Sequence, residues 1–401
     1  MTMRNGTPGF QSKRLVDARD SRGLTQIALA DLIGRKSSTI SRWESGDQSP
    51  EPEALETLST ALRLPVSYFL RTTAEHGEAP MFFRSLLSTT TQAERKRARV
   101  RLRWAEEISL SLQEWVDLPE VDVPFLEAAD HRDIRDEHIE QIANECRIRW
   151  GLGLGPISDL MLVMENAGVV AVREEIGTAK MDGVSHWSAL DQRPYILIAS
   201  DKATAVRSRM DAAHELGHLV LHRFIPHKSL TSPADFKEIE RQAFLFAGAF
   251  LLPAESFMAE VWSPSLNTFA VLKERWKVSI GAMIMRCIGL GVVEGAYEQR
   301  LWKHYTTRGW RKGEPLDDVL VPENPRLLAR SVRLLVDEGH RTRRDLMSDF
   351  RLSSSDVEAL CGLDQGYMGA EQAEVVPFPK VRARPGRADE GGQVIPLRRP
   401  N

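Results

Sequence analysis

The stretch DAAHELGHLVLH, residues 211–222, carries His-Glu-x-x-His at 214–218 on a segment whose apolar residues recur at helical spacing. Residues four apart lie one above the other on a helix, so His214 and His218 present both imidazoles on one face. Neutral imidazoles are good zinc ligands, and Glu215 projects beside them, placed to take a proton from water activated by the ion. The expected chemistry is that of a zinc metallopeptidase.

Such a site takes three protein ligands and keeps a fourth position open. His222 lies one further turn along the same helix, too far down the axis to close a tetrahedron easily, and reads as helix-end packing or a hydrogen-bonding residue. Glu240 is the better third ligand. It opens ERQAFLFAGAFLLP (240–253), a second helix stopped by Pro253, and can face the first helix across a short loop; otherwise it is a solvent-facing first-turn acid. The longer metzincin signature is absent, because Leu221 and Phe224 stand where its glycine and third histidine belong.

The flanks of this segment read as mixed helix and sheet. VVAVRE (169–174) and PYILIA (194–199) are apolar runs expected as buried strands on either side of a turn region. Helices are expected over about 136–150 and from Pro156 to Gly168, and again from Arg207 onward with breaks near 226–233, at Pro253 and around Pro264. His186, between the two strands, is a candidate for stabilising an oxyanion.

A 401-residue chain exceeds one ordinary core, so several domains are expected. A net charge of −3 excludes a chain that is basic throughout, and any nucleic-acid surface must be local. Cys146, Cys287 and Cys361 lack the spacing of a disulfide framework or zinc knuckle, which points to a reducing cytoplasm. The best apolar stretch, Ser279 to Val293, is short and broken by Arg286, so no membrane span is expected.

The local surface is found near the N-terminus. In LTQIALADLIGRKSSTISRWESG (24–46), Thr25 caps one helix, Gly34 makes a turn, and Ile40 and Trp43 point inward from a second helix. This is a helix-turn-helix pattern whose second helix would enter a major groove of double-stranded DNA, with Lys36, Ser37, Ser38, Thr39, Ser41 and Arg42 reaching bases and phosphates. Further on, Thr91 and Glu94 form a capping-box pair opening a helix to about Trp115. Its basic residues, Arg95 to Arg103, surround the axis and read as solvated. Two or three short helices are expected over 323–363, where RTRRDLMSDFRLSSSDVEAL (341–360) carries a weak second helix-turn-helix pattern read as a helical cap. A disordered Gly-, Pro- and Arg-rich tail follows, carrying VVPFPKVRARP and VIPLRRP.

The pattern RxRxxxAHELGHLxLH (207–222) followed by ExxAxxFAxxxLxP (240–253) resembles the ImmA/IrrE family of metallopeptidases, with flanks that extend the likeness over about 133–315. The resemblance implies a gluzincin-like fold, zinc on His214, His218 and Glu240, and Glu215 as the catalytic acid/base. Phe244 departs from it, since the family often has Asp or Asn there. The N-terminal segment resembles the xenobiotic-response-element, lambda-repressor-like class, including the WExGxxxP ending at 43–50, which implies a backbone contact for Gln26 and places Ser37 and Ser38 at the opening of the recognition helix.

The fold expected is therefore mainly α with a small α+β zinc domain. It divides into a helix-turn-helix domain (9–72), a helical linker (73–132), a gluzincin-like zinc domain (133–315), C-terminal helices (316–363) and a tail (364–401). The function implied is a cytoplasmic transcriptional regulator that cleaves a repressor or antitoxin-like protein in stress response or mobile-element control. Repressors of this kind commonly bind palindromic sites as dimers, so a homodimer is one arrangement open to it. Two other readings stand beside it: a transcription factor whose peptidase-like domain only senses a ligand, metal or partner, and a toxin–antitoxin partner acting by contact alone.

Overall fold

The computed structural model describes residues 6–73, 81–84, 91–177, 181–201 and 204–369. The stretch 74–80 and nearly all of the expected tail, with its two similar peptides, lie outside the described residues. Five helices come first: α1 (Ser12–Ser21), α2 (Gln26–Leu32), α3 (Ser37–Ser45), α4 (Pro52–Leu62) and α5 (Val66–Leu70). A short strand β1 (Phe82–Arg84) precedes α6 (Gln92–Gln113), which opens on the expected capping box between Thr91 and Glu94. Then come α7 (Asp136–Arg149), α8 (Leu160–Asn166), β2 (Val170–Glu174), β3 (Gly183–Trp187) and β4 (Pro194–Ala199). Nine helices complete the described chain: α9 (Ala205–Leu221), α10 (Pro233–Leu251), α11 (Ala254–Glu260), α12 (Leu266–Trp276), α13 (Ile280–Gly289), α14 (Gly295–Thr307), α15 (Leu327–Asp337), α16 (Arg343–Phe350) and α17 (Ser354–Cys361). The fold is mainly α with one small sheet, and α8 starts at the Asp159 cap, beyond Pro156.

The sheet runs β1-β3-β4-β2, with β2 parallel to β4 and the other pairs antiparallel. Alternation along each strand sends side chains to two different cores. Ala171, Ile196, Ile198 and Trp187 join α7 to α14 in one core. Val170, Val172, Val184, Tyr195 and Leu197 join α1 to α6 and α15 to α17 in the other. Burial on both faces explains why PYILIA is an unbroken apolar run.

Two strands escape the sequence pattern. GVSHW, within the region expected to turn, is the inner strand β3, and its polar residues are buried by specific partners rather than solvated. β1 has three residues, too few to show a period.

Helix α6 also departs from expectation. Arg101 is buried instead of solvated; its Nε donates to Glu174 of β2 at 2.7 Å, and its guanidinium also pairs with Asp356 of α17. Asp356 in turn accepts from Arg22 at the end of α1 at 2.7 Å and 2.8 Å. Arg14 of α1 reaches Glu107 of α6 at 2.7 Å, and the Trp104 indole donates to the Tyr68 hydroxyl at 3.1 Å. The N-terminal helices are thus pinned to α6. Residues up to Gly369 cluster as one unit. Among the described residues no single helix is long and apolar enough to cross a membrane, and the three cysteines are free and buried.

Replacing Arg101 by alanine takes one ion-pair partner each from Glu174 and Asp356, the latter keeping Arg22, so a loss of about 3–5 kcal/mol is expected from denaturant unfolding. The flanking guanidiniums hold the Asp356 carboxyl at about 2 against the cost of its burial. Its contribution is present above the unfolded value of about 4 and is lost as pH falls toward the folded one. Asp356→Asn is expected to flatten the stability profile in that acid window.

Candidate metal centre and nucleic-acid interface

Helix α9 starts at the Thr204 cap and is buried along almost its whole length between the sheet and α10. Gly217, inside the His-Glu-x-x-His turn, sets how closely α10 approaches. A Cβ there would meet the Ala243 carbonyl oxygen at 3.0 Å and the Phe246 ring at 3.1 Å. The close crossing puts Glu240, on the second turn of α10, opposite the two histidines.

His214 Nε2 and His218 Nε2 are 3.0 Å apart, and Glu240 oxygens lie 3.4 Å and 3.2 Å from them. Ligands about 2.0–2.1 Å from a tetrahedral ion are roughly 3.3 Å from one another. The three side chains therefore fit one zinc-sized cation, and they form a group whose ligand atoms all lie within 4.8 Å. Burial would raise the Glu240 carboxyl, but the two imidazoles beside it hold it far below the usual range, as a carboxylate.

The orientation of His218 is set through His222. Gln242 of α10 donates from Nε2 to the carbonyls of His131 and Ile134 at 2.8 Å and 3.0 Å, which fixes its amide and leaves Oε1 to accept from His222 Nε2 at 3.0 Å. Burial, reinforced by His218, keeps the His222 ring well below its ordinary pKa and so neutral. His222 Nδ1 must then accept from His218 Nδ1, 3.0 Å away, and the lone pair of His218 Nε2 is left facing Glu240 and His214. His222 is the hydrogen-bonding residue the sequence suggested. Gln242, which carries no sequence signal of its own, anchors the chain of bonds.

Glu215 is held from the sheet. The Ser185 hydroxyl donates to Glu215 Oε2 at 2.6 Å, and a Cβ on Gly183 would meet Glu215 Oε1 at 2.8 Å. Neither residue stands out in the sequence, since a strand assignment is needed before their facing can be known. The same alternation corrects the reading of His186: it points to the opposite side of β3, 3.6 Å from Glu106 of α6, and cannot serve an oxyanion at Glu215. Phe244, one turn after Glu240, packs its ring edge-on to His214 with centroids 4.4 Å apart, so this position gives the ligand an apolar wall.

At the N-terminus, Thr25 accepts from Ala28 N at 3.1 Å, Ile40 and Trp43 are buried, and Lys36, Ser38, Ser41 and Arg42 are exposed, with Ser37 and Thr39 half-buried. Gln26 is half-buried, its amide donating to Glu44 of α3 at 2.7 Å.

Residues 164–287 match the peptidase family model described as the IrrE N-terminal-like domain. Residues 15–69 match the helix-turn-helix model. The first match contains α9, β3 and Glu240; the second contains α2 and α3. No curated protein matches the chain.

Gln242→Leu removes the acceptor for His222 while keeping a side chain of similar size. Zinc affinity, measured by chelator competition, is expected to fall about 10–100-fold; an unchanged affinity would mean that His218 is oriented by something else.

Proposed function

We propose that this chain is a DNA-binding transcriptional regulator with a zinc-dependent endopeptidase, which cleaves a repressor or antitoxin-like protein in stress response or mobile-element control. The observation supporting the peptidase is the convergence of His214, His218 and Glu240 on one point, with Glu215 fixed beside it by Ser185. The match of 164–287 to a peptidase family and of 15–69 to helix-turn-helix proteins supports the same pairing of activities. In this reading 9–72 binds DNA, 133–315 is the peptidase, 73–132 and 316–363 join and brace them, and the protein works in the cytoplasm as a homodimer on DNA.

His214, His218 and Glu240 would hold a zinc ion, which when bound would supply Lewis acidity toward a water and a peptide carbonyl. Glu215 accepts the proton from the attacking water and returns it to the departing amine as the C–N bond breaks. The Ser185 hydroxyl holds one oxygen of that carboxylate, and the bare Cα of Gly183 leaves room for the other. Lys36, Ser37, Ser38, Thr39, Ser41 and Arg42 line the face of α3 that would enter the major groove, with Gln26 toward the backbone.

Metal analysis of the purified protein is expected to give one zinc per chain, absent from His214→Ala and Glu240→Ala. Glu215→Gln should keep the zinc and lower cleavage by at least about 100-fold, read from new protein N-termini in cells carrying either form. Zinc bound with no new termini in any condition would favour the sensor reading. Alanine at both Lys36 and Arg42 should weaken binding to double-stranded DNA and reduce its salt slope by about one for each phosphate no longer neutralised.

A further inference from the structure

Strand β1 takes no part in the chemistry above, yet it lies on the strand that holds the base. It comes from the chain between α5 and α6, outside the segment matching the peptidase family. Its antiparallel register sets Phe82 opposite Ser185 and Arg84 opposite Gly183, the two residues of β3 that touch Glu215. The Phe82 ring stacks on His218 with centroids 4.8 Å and planes 10° apart, and leans on His222 at 5.8 Å. Only 3% exposed, it fills an apolar cluster with Ile225 and Ile239, flanked by Leu230, that is separate from both main cores.

An extended segment thus crosses the ligand histidines with one side chain in an apolar pocket and its backbone on a sheet edge. A peptide offering a bond to Glu215 needs the same placement, because strand addition supplies main-chain hydrogen bonds and a side-chain pocket supplies selectivity. β1 and an incoming strand cannot share the edge of β3. We propose that Phe82–Arg84 is an intramolecular pseudosubstrate: it closes the peptide-binding edge of the metal centre, whose substrates are extended segments with a phenylalanine-like residue opposite Ser185. The proposal rests on the peptidase reading for the word substrate. The occupancy of the edge can be tested without it.

A three-residue strand pairs with only part of the five residues of β3 and has one buried anchor among its described side chains. Its hold comes from being tethered, which raises its effective concentration. A longer segment pairing along all of β3 can displace it.

The test uses the full chain in a Glu215→Gln background, and as probe a fluorescein-labelled synthetic peptide, APMFFRSL, which copies residues 79–86. Anisotropy titrations compare the protein with its strand intact, the same protein with Phe82→Ala, and a version with residues 81–84 replaced by Gly-Ser-Gly-Ser. Both altered proteins are expected to bind the probe at least tenfold more tightly than the intact one, and a probe with alanine at the position copied from Phe82 should not bind. Thermal unfolding identifies any form that fails to fold, and the second alteration serves if the first does. Equal binding to all three, or no binding to a folded altered form, overturns the proposal. Zinc content is measured on the same samples: its absence from all of them would overturn the metal-centre reading, while the anisotropy comparison still decides whether β1 occupies a peptide site.

Discussion

The structure depends on one buried cation. Arg101 sits in the middle of α6 with its guanidinium shared between Glu174 of the sheet and Asp356 of α17, and Asp356 is shared again with Arg22 of α1. Taking that charge out of water is costly, and only a complete set of partners makes it tolerable. The network thus ties α6 to three distant parts of the chain: the sheet through Glu174, the C-terminal helices through Asp356, and the N-terminal helices through Arg22. Hydrophobic burial supplies the driving force in the core around α6 but is indifferent to small shifts of register; ion pairs and the Trp104–Tyr68 hydrogen bond are not.

On the other side of the sheet the equivalent constraint is steric. Without a side chain at Gly217, α10 lies close enough for Glu240 to reach both histidines and for Gln242, half a turn away, to reach His222. A single crossing therefore positions the proposed third ligand and the bond network that orients the proposed second. The sheet separates the two halves and connects them, since successive residues of β3 face α9 and α6: Ser185 bonds Glu215, and His186 approaches Glu106.

What could be read from the sequence follows from the range of each interaction. His214, Glu215 and His218 share one helix, and the recognition-helix residues share another, so spacing alone places them. Glu240 needed only a second helix with a proline stop, although that helix begins at Pro233, seven residues before Glu240, and not at Glu240 as its sequence suggested. Ser185 and Gly183 were hidden because β3 is short and contains Gly, Ser and His, which normally signal a turn; burial by particular partners made it a strand. Arg101 escapes for the same reason, since a row of arginines looks solvated until the carboxylates 73 and 255 residues away are brought beside it. Gln242 looks like any helical glutamine, and only the carbonyls of His131 and Ile134 give it a role.

The residues beyond the three ligands bear on whether the site cleaves or only senses. A domain that only sensed zinc would need His214, His218 and Glu240, and would gain nothing from a carboxylate aimed beside them. Glu215 is fully buried, and the fold meets its polar carboxyl with the Ser185 hydroxyl while Gly183 leaves room for the side chain. Such an arrangement is costly for a residue with no task. In the proposed reaction this is the position a general base would take, with one carboxylate oxygen held by Ser185. The orientation of His218 through two further side chains makes the same point: the lone pair is presented in advance, and little reorganisation remains for the moment of binding.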